Sequence, residues 1–178
     1  ENWDRPKREV NALMSLLVST INKETKTLLD NNIRLEAIGN IEELPEKCQS
    51  ELKEAIEKTK HGSRTTLILA LSYSSRWEII NAIKQIVKNE VSEKNINEEL
   101  FSQYLTTKGV PNPELLIRTS GEQRISNFLL WQIAYSELYF TDILWPEFRR
   151  EDLFEAIYKF QQRERRFGKI SEQLKEKN

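Results

Sequence analysis

The segment Thr66-Leu67-Ile68-Leu69-Ala70-Leu71 is a continuous apolar run of strand length, and no other stretch narrows the fold as much. A strand with one wet face alternates polar and apolar residues. An unbroken run fits a strand covered on both faces, as in a parallel sheet. Helical periodicity flanks it. Val10, Leu13, Met14, Leu17, Val18 and Ile21 repeat at the spacing of one helix face and predict a helix over 7–29. Asp4 and Pro6 stand where a cap and a first-turn proline belong, and Asn31-Asn32 ends the helix. Ile33 to Ile38 reads as a strand stopped at Gly39-Asn40. Leu44, Cys48, Leu52, Ile56 and Thr59 mark a second helix closed by Gly62.

Beyond the apolar run, Ser75-Arg76-Trp77-Glu78 matches a capping box and predicts a helix to Lys88. Asn97 caps a short helix ending near Leu105. Glu114 to Arg118 is a third strand, Thr119 to Ser126 a loop, Asn127 to Ile133 a short helix and Leu138-Tyr139-Phe140 a fourth strand. Glu151 to Arg163 is the last helix, with Leu153, Phe154, Ile157 and Tyr158 as its apolar side. Strands alternating with helices give an α/β class, a mostly parallel central sheet flanked by helices, in a single domain over 1–178. Ligands in such sheets bind beyond the carboxyl ends of the strands, here the loops after Ile38, Leu71 and Arg118.

Composition closes off several function classes. With 38% hydrophobic and 31% charged residues the chain suits a globular protein and not a disordered one. The 27 Lys and Arg balance 28 Asp and Glu, without the basic excess of a nucleic-acid binder. The run Arg163 to Lys169 therefore reads as a solvated helix end. One Cys, Cys48, and one His, His61, exclude a disulfide framework and a Cys/His zinc site built from this chain alone. Cys48 falls on an apolar helix face and reads as core; His61 reads as a helix-terminus residue. No apolar stretch reaches membrane-spanning length, and no signal peptide precedes the first helix, so the expected location is the cytoplasm.

The richest stretch for chemistry is Arg118-Thr119-Ser120-Gly121-Glu122-Gln123-Arg124-Ile125-Ser126-Asn127. Arg118 leaves a strand at its carboxyl end, Gly121 permits a tight turn and Arg124 returns six residues later. Ser126 stands at the start of the expected helix, where hydroxyl and backbone N–H groups face an anion. Two guanidinium forks and a helix N-terminus suit a diphosphate. The competing reading pairs Arg118 and Arg124 with Glu122 and Glu137 as structural ion pairs. Glu137 sits in an aromatic stretch and needs a cation, either an Arg or Mg²⁺.

These motifs resemble the cis-prenyltransferases, most closely the bacterial undecaprenyl diphosphate synthases. The resemblance is carried by Glu1-Asn2-Trp3-Asp4-Arg5-Pro6, by Ser72-Tyr73-Ser74-Ser75-Arg76-Trp77 and above all by Leu116 through Phe128. It continues through Trp131 to Phe140 and closes on Arg163-Glu164-Arg165-Arg166-Phe167-Gly168. It implies sequential cis condensation of isopentenyl diphosphate onto an allylic diphosphate, usually farnesyl diphosphate, to make a long-chain polyprenyl diphosphate lipid carrier. It implies that Arg118, Arg124, Ile125 and Ser126 bind isopentenyl diphosphate. Glu1, Trp3 and Arg5 line the substrate site, Asn2 accepts the proton and Glu137 helps hold Mg²⁺. It further implies a homodimer, a product tunnel between the apolar faces of helices 7–29 and 76–88 and strand 66–71, and transient contact with the inner membrane face during product release.

Two departures from the family pattern stand out. The family's opening segment, with a Met-Asp-Gly-Asn motif whose Asp binds Mg²⁺, has no counterpart in these 178 residues. The expected fold is thus N-terminally incomplete, a C-terminal portion that makes no product on its own. The alternative is a non-catalytic partner subunit. Many members also carry Asn-Tyr-Gly-Gly-Arg where this chain has Ser72-Tyr73-Ser74-Ser75-Arg76, an exchange of small residues expected to be tolerated.

Overall fold

The apolar stripe of the first helix is seated as its spacing predicts: α1 runs Lys7–Asp30 in the computed structural model, which describes residues 7–163. Asp4 and Pro6 lie outside the described residues. At the other end the Asn31 side chain donates to Thr27 O at 2.8 Å, and Asn32 takes a left-handed φ of 57°. That conformation suits asparagine better than most residues and ends the helix. The described chain falls into two compact units that meet in sequence between Gly109 and Val110.

In the first unit β1 (Ile33–Ile38) and β2 (Thr65–Ala70) pair in parallel, Ile33 opposite Thr65 and Ile38 opposite Ala70. The crossover is α2 (Glu46–Thr59). Its buried Cys48, Leu52 and Ala55 pack with Ile21 of α1, Leu35 of β1 and Leu44. Thr59 joins α2 to the sheet: its hydroxyl accepts the Leu35 N–H at 3.0 Å and donates to Ala55 O at 2.8 Å. Gly62 sits so close to the start of β1 that an added Cβ would lie 2.5 Å from Arg34 N. Gly39 turns the chain out of β1 at φ 107°, with its missing Cβ position 2.2 Å from Leu71 O. Gly62 is where the end of α2 passes the start of β1, and Gly39 where the ends of the two strands pass each other.

The apolar run is a strand, but it is not covered on both faces. Among the described residues Thr65, Thr66, Leu67 and Ala70 are exposed: α1 and α2 pack on β1, and β1 and β2 are the strands this unit shows there.

Helix α3 spans Ser75–Lys88, and its cap is Ser74, one residue before the expected one, accepting the Trp77 N–H at 3.3 Å. Glu78 is then not a capping-box residue. It is 1% exposed, and its carboxylate accepts from Tyr73 OH at 2.6 Å, Thr106 N at 2.9 Å and Thr106 Oγ1 at 2.5 Å. The Ser-for-Gly exchange is accommodated: Ser74 is extended at φ −150° and supplies the cap, while Ser75 is helical. Ile80, Ile83 and Val87 of α3 are exposed. Helix α4 is Glu98–Ser102, shorter than expected, capped by Asn97 Oδ1 on Leu100 N at 2.8 Å.

In the second unit β3 (Leu115–Arg118) and β4 (Glu137–Phe140) are again parallel, Leu115 opposite Glu137 and Arg118 opposite Phe140. Helix α5 (Arg150–Gln161) packs on β4 through Ala156, which is fully buried. Lys159, one turn on, lies 5.5 Å over the Tyr139 ring. The face read as its apolar side faces outward: Leu153, Phe154, Ile157 and Tyr158 are all exposed. Small Ala156 lets the helix approach the strand closely, and the bulky stripe falls on the other side.

The short helix expected over 127–133 is absent. Ser126, Asn127 and Leu129 have φ of 53°, 58° and 49°, which no right-handed helix admits, and the segment forms turns instead. Ile133 N bonds Leu129 O at 2.9 Å, and Ser136 Oγ bonds Pro113 O at 2.5 Å.

Candidate functional site

The carboxyl end of β3 is held open by backbone geometry. Thr141 N donates to Arg118 O at 3.0 Å, Gly121 N to Thr141 O at 2.9 Å and Ser120 N to Ile143 O at 2.8 Å. The extension of β4 thus clamps the turn after β3. Ser120 and Gly121 both take left-handed φ, near 70°. At Gly121 an added Cβ would come within 3.1 Å of Asp142 Oδ1. The chain therefore reverses sharply, and the returning segment faces the strand end.

Between them lies an open cleft of about 510 Å³, lined by Leu116, Ile117, Arg118, Thr119, Ser120, Glu122, Ile125, Ser126 and Phe128. That volume is within the range of small-ligand sites. Arg118 and Ser126 meet on its wall, Nη1 donating to Ser126 Oγ at 3.0 Å. That bond uses one of five guanidinium N–H donors, and Arg118 has no carboxylate partner among the described residues. Apolar Ile117, Ile125 and Phe128 complete the lining, beside the polar end.

Of the site residues expected from sequence, Arg118, Ile125 and Ser126 come together in this cleft. Arg124 stands at its margin, 65% exposed, in an ion pair with Glu122, whose carboxylate lines the cleft. Glu137 is elsewhere on the strand. It begins β4, so it lies three residues back from the position opposite Arg118, about 10 Å at the usual rise per residue. Its partner is neither Arg118 nor Arg124. Arg163 donates from Nη1 to Glu137 Oε2 at 2.7 Å and to Leu138 O at 2.9 Å. From sequence Arg163 belongs to a solvated helix end; no local pattern links residues 26 apart, and only the packing of α5 on β4 brings it there. With no helix at 127–133, no helix N-terminus among the described residues takes the place expected beside Ser126, and the polar groups there are side chains and turn N–H groups. Glu1, Asn2, Trp3 and Arg5 lie outside the described residues, as do residues 164–169 of the basic run.

Residues 1–168 match the Prenyltransf family, described as undecaprenyl diphosphate synthase. The chain is 52% identical over 179 residues to an isoprenyl transferase of Chlorobaculum tepidum, covering 98% of this chain and 68% of that one. It is 49% identical to a ditrans,polycis-undecaprenyl-diphosphate synthase of Haemophilus influenzae, specific for (2E,6E)-farnesyl diphosphate, covering 94% and 72%. Among solved structures it superposes on lavandulyl diphosphate synthase from Lavandula x intermedia in complex with dimethylallyl diphosphate. The TM-score is 0.89 at 35% identity, over 94% of this chain and 75% of that one.

Proposed function

The chain belongs to the undecaprenyl diphosphate synthase family of cis-prenyl-transferring enzymes, and we propose that its cleft binds the diphosphate of isopentenyl diphosphate during elongation of farnesyl diphosphate to a long-chain polyprenyl diphosphate. The observation that carries this reading is the pairing of Arg118 with Ser126 on the cleft wall at the carboxyl end of β3. A guanidinium with free donors beside a hydroxyl matches phosphate oxygens, and the apolar lining suits a five-carbon tail. Arg124 is the second fork and Ile125 an apolar contact.

The reaction needs little from side chains beyond placement and charge. The allylic C–O bond breaks and diphosphate leaves with the electron pair. The isopentenyl double bond attacks the allylic carbon, and one proton is lost from the isopentenyl unit. Arg118, Arg124 and Ser126 hold the nucleophile's diphosphate so that its double bond stays in register with the allylic carbon. Asn2, by resemblance, takes the proton, and Glu1, Trp3 and Arg5 line the allylic side. Residues 1–178 act in this reading as one domain, a view supported by a family match that runs unbroken across the boundary at Gly109.

Mg²⁺, when bound, neutralises a departing diphosphate. Among the described residues no group of three or more His, Cys, Asp or Glu forms a metal site. Glu137 suits the ion in the manner Mg²⁺ is usually held, by one or two carboxylates completed by phosphate oxygens and water. Arg163 takes Oε2, and Oε1 lies outside that pair. The proposed assembly is a homodimer in the cytoplasm that touches the membrane surface to release product. Among the described residues no helix is long and apolar enough to cross a membrane.

Calorimetric titration with isopentenyl diphosphate tests the cleft. Saturable binding that Arg118→Ala weakens supports it. Binding that ignores Arg118 and Ser126 removes the assignment.

A further inference from the structure

Arg118, which lines the cleft, and Arg124, at its margin, are not equivalent. Arg118 is bonded to a neutral hydroxyl, whereas Arg124 is already neutralised by a carboxylate, Glu122, which itself lines the cleft. Both members of that pair are solvent-accessible, with side chains 65% and 37% exposed, so the contact can open without burying an unpaired charge. We propose that Glu122 is an internal competitor for Arg124: it occupies the guanidinium in the place of a phosphate and sets how tightly the cleft takes a diphosphate in the absence of a divalent cation. The inference rests on the diphosphate reading of the cleft.

The physical case follows from charge and geometry. A carboxylate and a phosphate present similar oxygen pairs to a guanidinium fork, so a Glu122 carboxylate on Nη1 takes part of the donor set and offsets the charge that a phosphate would meet at Arg124. Glu122 also places a negative charge on the cleft wall, where an incoming anion meets like charge. The cleft lining carries one positive charge, Arg118, and one negative, Glu122, with Arg124 paired to Glu122 at the margin. A bare diphosphate must break the Arg124 pair and face the released carboxylate. A diphosphate already neutralised by a divalent cation faces less repulsion. Glu122 therefore discriminates between free and metal-loaded ligand without touching the reacting carbon. Because the pair is exposed, salt weakens it and narrows the discrimination.

The probe is inorganic pyrophosphate, titrated calorimetrically into the full 178-residue chain with divalent cations chelated. Glu122→Gln should bind it about 2- to 5-fold more tightly than the unsubstituted chain, the range that an exposed charge pair is worth. In an Arg124→Ala background the same substitution should give a smaller gain, because there is no guanidinium left to release. Glu122→Ala should behave like Glu122→Gln. The side chain lies on an exposed loop, and an unchanged melting temperature confirms folding. Unchanged or weaker pyrophosphate binding in Glu122→Gln overturns the proposal. So does an equal gain in the Arg124→Ala background, which would reduce Glu122 to simple repulsion. Arg118→Ala separates the two levels. If it weakens binding while Glu122→Gln does nothing, only the competitor role fails. If pyrophosphate does not bind, or binds regardless of Arg118, the diphosphate reading fails with it.

Discussion

At the residue scale, Glu137 now has a definite partner, which sharpens its test. The carboxylate is held by Arg163 through Oε2 in a partly exposed pair, 27% and 39% accessible. Glu137→Gln removes the charge and keeps the shape. The lost pair is worth up to about 1 kcal/mol, so the melting temperature should fall by about 1–4 °C. As an Mg²⁺ ligand, Glu137 should also contribute to metal affinity, and the Mg²⁺ concentration needed for half-maximal diphosphate binding should rise in the variant. A lowered melting point with an unchanged Mg²⁺ titration would leave Glu137 a structural residue. Cys48 gives a second residue-scale expectation. It is 2% exposed, and burial pushes its thiol above the ordinary range, against a smaller lowering by Lys47. It should react with an aromatic disulfide reagent only on unfolding, at pH 8 as at pH 7. Rapid labelling of the native chain would contradict its place in the core.

At the scale of elements, the long periodic helix and the two longer strands could be read directly, because each carries its pattern within a single stretch. The failures have local causes. The helix expected at 127–133 had apolar content, but left-handed φ at Asn127 and Leu129, and at Ser126 just before them, breaks it, and φ is not visible in hydrophobicity. The capping-box match at Ser75 misassigned Glu78, because its partners Tyr73 and Thr106 come from outside the helix and one lies 28 residues away. That buried carboxylate carries a prediction. Glu78→Gln keeps an oxygen for Thr106 but makes the Tyr73 hydroxyl accept from an amide and removes the charge that strengthens all of these bonds, costing about 1.5–3 kcal/mol, or about 3–12 °C in melting temperature. A melt within 1 °C of the unsubstituted chain would show that the three bonds carry little. Gly39→Ala should be worse tolerated than a loop substitution usually is, because the new methyl meets Leu71 O and the backbone sits at φ 107°. A drop of at least about 2 kcal/mol in denaturant stability checks it.

At the scale of the whole molecule, the α/β class and the direction of the parallel strands were legible in the alternation of runs and periodicities. So was the loop that bears the cleft. Arg118 and Ser126 could be named because a strand end and the return from its turn lie within nine residues of sequence, whereas Ile125 came only with the family resemblance. The partner of each charge could be read only in part: the ion-pair reading offered Glu122 to Arg124, as found, but gave Arg118 a carboxylate and Glu137 one of the two cleft-loop arginines. Arg118 meets Ser126, Arg124 meets Glu122 and Glu137 meets Arg163, a pairing set by turn geometry and by the docking of α5. Of these three arginines, Arg118 alone pairs with a neutral group, which leaves its charge for a ligand. The most direct measurement is the affinity of the chain for isopentenyl diphosphate before and after Arg118→Ala, by calorimetry at fixed ionic strength. Losing one charge-assisted contact costs about 1.5–3 kcal/mol, so the variant should bind roughly 10- to 150-fold more weakly with its melting temperature unchanged. Equal affinity in the two proteins would contradict a diphosphate site at the end of β3.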